Sequence, residues 1–374
     1  MANTFVSIKE LALKTLERLN ETIVFPNLMA QDISGDYVNG KGDTVLAQLP
    51  YYFSATEFDE AAGVSAQDIQ QNTVPVTLDK IADATVEWGA IEGATRMGEN
   101  KLNKILEGMA TAIAEKINDD GAGLYADIPY FTGAAGTTPD GVDDFASARK
   151  LLNKNKCPKA NRCIVWNDDA DAAMIQLDAF KNAAASGSTA ALREASLGRV
   201  YGFENYSSQG LKFHATGITG GTAVKVNGAV AEGATKLSID GTTLTGKLVK
   251  GDLMQIDGKQ YVVTKDSAAA ATNAIADIEI YPAAPAAIAD NKDVTLIAGH
   301  AANMAFHRDA FAFVTRPLLA PADKESYTTG VSNSPIQLRV VRGYDMKFKK
   351  DMLSMDILYG YKTLCPQMAA VILG

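Results

Sequence analysis

The stretch Thr95 to Gly121, TRMGENKLNKILEGMATAIAEKINDDG, constrains the fold more than any other in this chain. Leu102, Ile105, Leu106, Met109, Ile113 and Ile117 return at helical spacing and predict one apolar face. Lys101, Asn103, Lys104, Glu107, Thr111, Glu115 and Lys116 predict a solvated opposite face. Glu99 falls in the first turn, and Asn118-Asp119-Asp120-Gly121 reads as a stop signal. At 1.5 Å per residue the rod is roughly 30 Å or more, which exceeds the usual globular helix. Gly108 inside it costs about 1 kcal/mol against Ala, so a bend or close packing contact is expected there. Such a rod needs a sheet or another helix laid along it.

With 374 residues, two or three domains are expected rather than one. An apolar fraction of 47% is ordinary for a folded chain. The net charge of −9 argues against nucleic-acid affinity through a basic face. MANTFVSIKE lacks a basic region followed by an apolar run, so no secretory signal is expected. No stretch approaches 18 uninterrupted apolar residues, so no membrane span is expected. Cys157, Cys163 and Cys365 are odd in number and lack C-x-x-C spacing, which suggests reduced thiols.

Ahead of the rod, Ser7 and Glu10 form a capping box with Val6 and Leu11 as a staple, predicting a helix to about Asn20. Thr44 to Phe53 and Val74 to Ile81 read as strands flanking the polar, acidic loop SATEFDEAAGVSAQDIQQN. A ribbon with so long a tip is marginal alone and needs bracing. Thr85 to Ile91 is a third expected strand. Beyond Gly121 the texture becomes α/β: helix Asp143 to Asn153, strand Arg162 to Trp166, then a helix capped by Asn167 or Asp168 and running to about Phe180. Asn182 to Ala191 is expected to be a loop, and Gly198 to Tyr206 a strand. From about Gly217 to Gly299 short alternating runs with turns at Asp240-Gly241 and Asp257-Gly258 predict an inserted all-β module. Strands return at Gln337 to Val341, Leu353 to Tyr359 and Met368 to Leu373.

No convergent chemistry emerges. Gly241 to Lys247 has the spacing of a phosphate-binding loop, but Leu248 stands where a magnesium-binding hydroxyl belongs, and no strand-to-helix context surrounds it. A hairpin turn is the expectation. His214, His300 and His307 have no HExxH pattern and favour packing or hydrogen bonding over metal. No G-x-S-x-G elbow occurs. Asp168, Asp169 and Asp171 suit a helix N-terminus better than calcium. Lys347, Lys349 and Lys350 read as a solvated edge. Catalytic, cofactor and metal residues are therefore expected to be none. A protruding ribbon, an N-terminal arm and a half-exposed rod all need neighbours, and symmetric self-association supplies them.

The order of motifs resembles the major capsid proteins of tailed double-stranded-DNA bacteriophages, the capsid fold shared with herpesviruses, most closely the podovirus type with an inserted β-domain. GDTVLAQLP (Gly42 to Pro50) is similar to the first extended-loop strand, and VPVTLDK (Val74 to Lys80) to its return strand. LGRVYGFENYSS (Leu197 to Ser208) resembles the strand closing the first half of the axial domain. KGDLMQIDGKQYVV (Lys250 to Val263) resembles the inserted domain's central hairpin. NMAFHRDAFAFVTRPL (Asn303 to Leu318) resembles the re-entry into the parent fold, and RVVRGYDMKFKKDMLSMDILYGYKTLCPQMAAVIL the C-terminal strands.

The resemblance implies an α+β chain divided as follows: N-terminal arm 1–43, extended-loop hairpin 44–82, peripheral domain with the spine helix 83–135, axial α/β domain 136–216, inserted β-domain 217–299, axial domain resumed 300–335, and C-terminal strands 336–374. It implies no enzymatic activity, and no cleavable prodomain is expected ahead of the N-terminal helix, which fits relatives that lack one. It implies self-assembly into hexamers and pentamers of an icosahedral head in the virion capsid, with scaffolding protein, portal and weakly held double-stranded DNA as partners. Glu57, Phe58, Asp59, Glu60, Asp68, Lys101, Lys104 and Glu107 are the inter-subunit contact candidates. The alternatives are a tail-tube or sheath subunit, a compartment shell protein, and an enzyme with the β-insertion as a lid.

Overall fold

A computed structural model describes residues 13, 15–17, 19, 23–31, 44–49, 55, 57, 68–69, 72–89, 92, 99–182, 194–319, 321, 325–328 and 336–374. These fall into two compact units. One takes Met1–Thr22, Ala30–Ala114 and Phe311–Leu364; the other takes Ile23–Met29, Glu115–Ala310 and Cys365–Gly374.

The second unit is built on a mixed sheet in which His300–His307 is central. One edge of this strand pairs antiparallel with Ala369–Leu373 and the other with Arg162–Trp166. Phe131–Gly133 and Phe203–Ser207 add parallel strands outside them. Arg162–Trp166 is buried along its whole length, which explains the apolar run CIVW, since a strand covered on both faces has no polar side; the buried Arg162 donates to the Pro158 and Cys157 carbonyls. Helix Val142–Lys154 buries Phe145, Ala148 and Leu152. The Phe145 ring meets Trp166 edge-on at 5.2 Å. Asn303 lies fully buried in the central strand. Its Oδ1 accepts the Asn167 N–H at 2.8 Å and its Nδ2 donates to the Ile372 carbonyl at 3.2 Å. One amide thus satisfies two strands' backbone.

Asn167 caps its helix as expected, Oδ1 accepting the Ala170 N–H at 3.0 Å. The helix ends early, however, at Ile175. Leu177 takes an extended backbone, and a separate turn, Asp178–Lys181, follows. The strand expected over Gly198 to Tyr206 is also interrupted. Tyr201 and Gly202 both have positive φ and fold Arg199–Val200 back on Phe203–Ser207.

Six antiparallel strands form a second sheet in this unit, in the order Val294–Leu296, Leu253–Ile256, Lys259–Val263, Ala274–Tyr281, Lys236–Gly246, Ile218–Val226. Its outer strands meet. Val226 N–H donates to Lys292 O at 2.8 Å and Asn291 N–H to Val226 O at 2.9 Å, so the sheet rolls back on itself. Ile239, Met254, Val263 and Ile278, all at most 1% exposed, lie inside the roll. Asp257 and Gly258, both at positive φ, make the expected turn. Asp240-Gly241 does not turn. It lies within Lys236–Gly246, whose register against Ile218–Val226 shifts at three places. Extra residues are absorbed as bulges.

In the first unit the spine of the sheet is Lys350–Thr363. One edge pairs with Lys80–Gly89 over ten residues. The other edge is shared between Arg339–Asp345 and Phe311–Arg316. The strand expected from Thr85 thus begins at Lys80, because Leu78 and Asp79 break the preceding strand at Thr77. Thr44–Gln48 pairs with Thr73–Thr77, and Val45, Ala47, Val76 and Leu78 pack on Ala312 and Val314.

The long helix runs Glu99–Ala122, roughly 36 Å at 1.5 Å per residue. Leu106, Met109, Ile113 and Ile117 are buried, as their spacing predicts. The stop signal does not act. Asn118 is inside the helix, and its Oδ1 accepts the Val24 and Phe25 N–H groups at 3.0 and 3.4 Å, at the start of the short helix Phe25–Leu28. A side chain occupied with a distant backbone cannot compete for its own. Gly108 is exposed, and an added Cβ there would meet nothing within 4 Å, so no packing contact among the described residues requires glycine there. Of the expected N-terminal helix, Leu13, Thr15–Glu17 and Leu19 are described as helical, with Leu16 and Leu19 buried. Its capping box and the loop over Asn182 to Ala191 fall outside the described residues, save Asn182.

Candidate interaction surfaces

The first unit presents its distinctive chemistry along the Lys350–Thr363 strand. Arg339 Nε donates to Asp356 Oδ1 at 2.8 Å, and Nη2 makes a second bond to Oδ2 of the same carboxylate. Nη1 donates to the Leu319 carbonyl at 2.9 Å. The forked pair holds the guanidinium above its already high range, the hydrogen bond to Asp356 being the main cause. Ser354 Oγ donates to Asp83 Oδ1 at 3.0 Å, and Lys350 pairs with Glu87. These contacts fix Lys80–Gly89 in register.

At the end of this ladder Asp345 Oδ1 accepts the N–H groups of Lys347 and Phe348, at 2.7 and 3.2 Å, shaping the turn. The turn lifts Met346 and Phe348 into solvent, 82% and 63% exposed, with Lys347 Nζ 5.3 Å from the Phe348 ring centre. Lys347 and Lys349 are exposed, as expected of a solvated edge, but share this tip with apolar side chains, and Lys350 opens the following strand.

Of the contact candidates, Glu57 and Asp68 are exposed, as are Lys104 and Glu107 on the long helix. Lys101 lies in that helix. Phe58, Asp59 and Glu60 fall outside the described residues.

The motifs weighed for catalysis resolve into structure. Gly241 to Lys247 is a bulged strand end rather than a hairpin turn. Gly246, at φ +98°, has the Gly217 carbonyl oxygen 2.2 Å from where a Cβ would stand, so strand packing requires its glycine. Asp168, Asp169 and Asp171 fill the first turn of their helix. Cys157, Cys163 and Cys365 are buried, and burial pushes each thiol up from its ordinary range. His307 is buried too, Nδ1 accepting the Asp309 N–H at 3.2 Å. No group of three or more metal-ligating side chains occurs among the described residues.

Sequence reasoning missed a buried polar cluster. His214 lies between Tyr125 Oη, 2.9 Å from Nδ1, and Asp252 Oδ1, 2.8 Å from Nε2, with the His300 ring centre 5.3 Å from its own. Burial raises the Tyr125 phenol from its ordinary range, and the Asp252 charge adds to this, which is the wrong direction for a nucleophile.

No protein-family model matches this sequence, nor does any curated protein. Among solved structures the chain is similar to one from Mycobacterium phage Che8, with a TM-score of 0.54 and 17% identity over 100% of this chain and 93% of that one. It is also similar to a chain in the capsid structure of the cyanophage P-SCSP1u, with a TM-score of 0.52 and 12% identity over 100% of this chain and 90% of that one. At such identities the likeness is one of fold. The protein is an α+β chain that shares its fold with these phage chains along its full length.

Proposed function

We propose that this chain is a major capsid protein that assembles into the hexamers and pentamers of an icosahedral phage head around double-stranded DNA. The observation that carries this is the extent of the likeness: the whole chain, including the rolled sheet, aligns with a chain from a phage capsid structure. The role is structural rather than catalytic. On this assignment residues 44–82 are the extended loop, 217–299 the inserted domain, and the helix Glu99–Ala122 the spine of the peripheral domain. Glu57 and Asp68 are exposed, which suits contact with a neighbouring copy. Scaffolding protein and portal belong to the proposal as partners. The net charge of −9 suits weak contact with packaged DNA, since a strongly basic inner surface would hold it against ejection.

Negative-stain images of the purified full chain test this. Closed shells are expected; tubes would point to a tail component instead, and a monomer at every concentration would defeat the assignment. Deleting Thr56 to Gln71 should leave a folded subunit, by circular dichroism, that no longer yields stable shells. Normal particles from the deletion would remove the extended loop from the assembly contact.

A further inference from the structure

The rolled sheet is joined to the mixed sheet by a buried network with one imbalance. His300 Nδ1 lies 2.9 Å from the Ala298 carbonyl oxygen. A carbonyl only accepts, so Nδ1 carries the proton and Nε2 is left as a bare lone pair. That Nε2 is fully buried and meets no donor among the described residues. The titratable groups facing it are His214 on the paired strand and Asp252 in the turn before Leu253–Ile256, with Tyr125, in the tight helix after the long rod, on the far side of His214. Just beyond lies the Lys250–Asp127 ion pair at 2.7 Å. Asp252 is already committed. Oδ1 holds His214 Nε2, and Oδ2 accepts the Val249 N–H at 2.7 Å.

We propose that His300 is the trigger of an acid-sensitive latch, in which a proton added at Nε2 releases the His214–Asp252 link between the rolled sheet and the mixed sheet. The added N–H would be a buried donor with no acceptor, placed beside a second imidazole. Such a group is relieved only by moving to water. The segment able to move is small, because Phe213–His214 pairs with His300–Ala301 over two rungs, with one further bond from the Ala302 N–H to the Lys212 carbonyl at 3.1 Å. Its departure takes His214 from Asp252 and frees the turn at Val249 to Asp252. Burial lowers the His300 pKa from its ordinary 6.5; the hydrogen bond to the Ala298 carbonyl opposes this, His214 adds to it and Asp252 opposes it. The sign follows. A histidine depressed in the folded chain supports the closed state fully above about 6.5, and that support fades as pH falls below it. The device is independent of whether the chain assembles.

Hydrogen exchange on the full-length chain, read by mass spectrometry as protection factors from pH 8 to 5, tests it. Peptides over 210–216 and 247–255 should lose protection below about pH 6.5, by up to tenfold per pH unit as expected for one proton. Peptides over 162–166 and 369–373 should hold theirs. His300→Asn keeps a donor for the Ala298 carbonyl and should flatten the pH dependence. A wild-type chain with no difference between the two peptide sets overturns the proposal, as does a slope that persists in H300N. So does a loss that begins only below about pH 5, where carboxylates titrate, a result that needs no variant at all.

Discussion

Gly360→Ala is the most discriminating single change in the first unit. A Cβ at this position would lie 2.2 Å from the Thr77 carbonyl oxygen, 3.0 Å from the Thr77 carbonyl carbon and 3.3 Å from Leu78 Cα. All three are backbone atoms, so no rotamer change relieves the clash. Reaching ordinary contact at 3.4 Å requires the strands to part by about 1.2 Å, the difference between 3.4 and 2.2 Å. The shift falls on the segment carrying Val76 and Leu78, which pack with Ala312 and Val314. Forcing added volume into such packing costs about 1–3 kcal/mol. Urea denaturation should therefore show a loss of that size, and amides of Thr73–Thr77 should exchange faster. Gly343→Ala is the matched control, on the strand that pairs with Lys350–Thr363, where a Cβ meets nothing within 4 Å. It should change stability by less than about 0.5 kcal/mol. Equal effects from the two substitutions, or unchanged protection of Thr73–Thr77 in G360A, would refute close backbone approach as the reason for the glycine.

Gly108→Ala should stabilise the chain by about 0.5–1 kcal/mol, since the site is open, exposed and helical; a loss of stability by urea titration would expose an unseen packing role. Phe145→Ala removes a ring that is 0% exposed and stacked edge-on against Trp166, and should cost about 3–5 kcal/mol by the same measure. None of the three thiols should label with a thiol reagent at pH 8 until the chain is unfolded, because burial both hides them and disfavours the thiolate. Rapid labelling of the folded chain at any of them would contradict this.

Periodicity made the long helix and the strand Arg162–Trp166 legible, because a single buried face or a wholly buried run leaves its period in the sequence. Local stop and turn signals were less dependable, for a reason the structure supplies. Asn118 serves a backbone 94 residues earlier, and Asp240-Gly241 serves a bulge, so both departed from their usual local roles. The His214 network was not legible. Its partners lie 38 and 89 residues away in sequence, and no spacing rule joins residues that only the fold brings together. Glu57, Asp68, Lys104 and Glu107 were legible as exposed side chains, since loop and helix-face charges rarely bury without partners. Which neighbour they meet is a property of two chains and leaves no period in one.

The pairing of Phe213–His214 with His300–Ala301 has a consequence for connectivity. The chain leaves the mixed sheet and comes back to it at directly opposed positions, about 5 Å apart as in any antiparallel pair. A two-residue turn could span that doorway. The host sheet is thus topologically indifferent to how much polypeptide is threaded between its two posts, whether a full rolled sheet, a shorter loop or a foreign passenger.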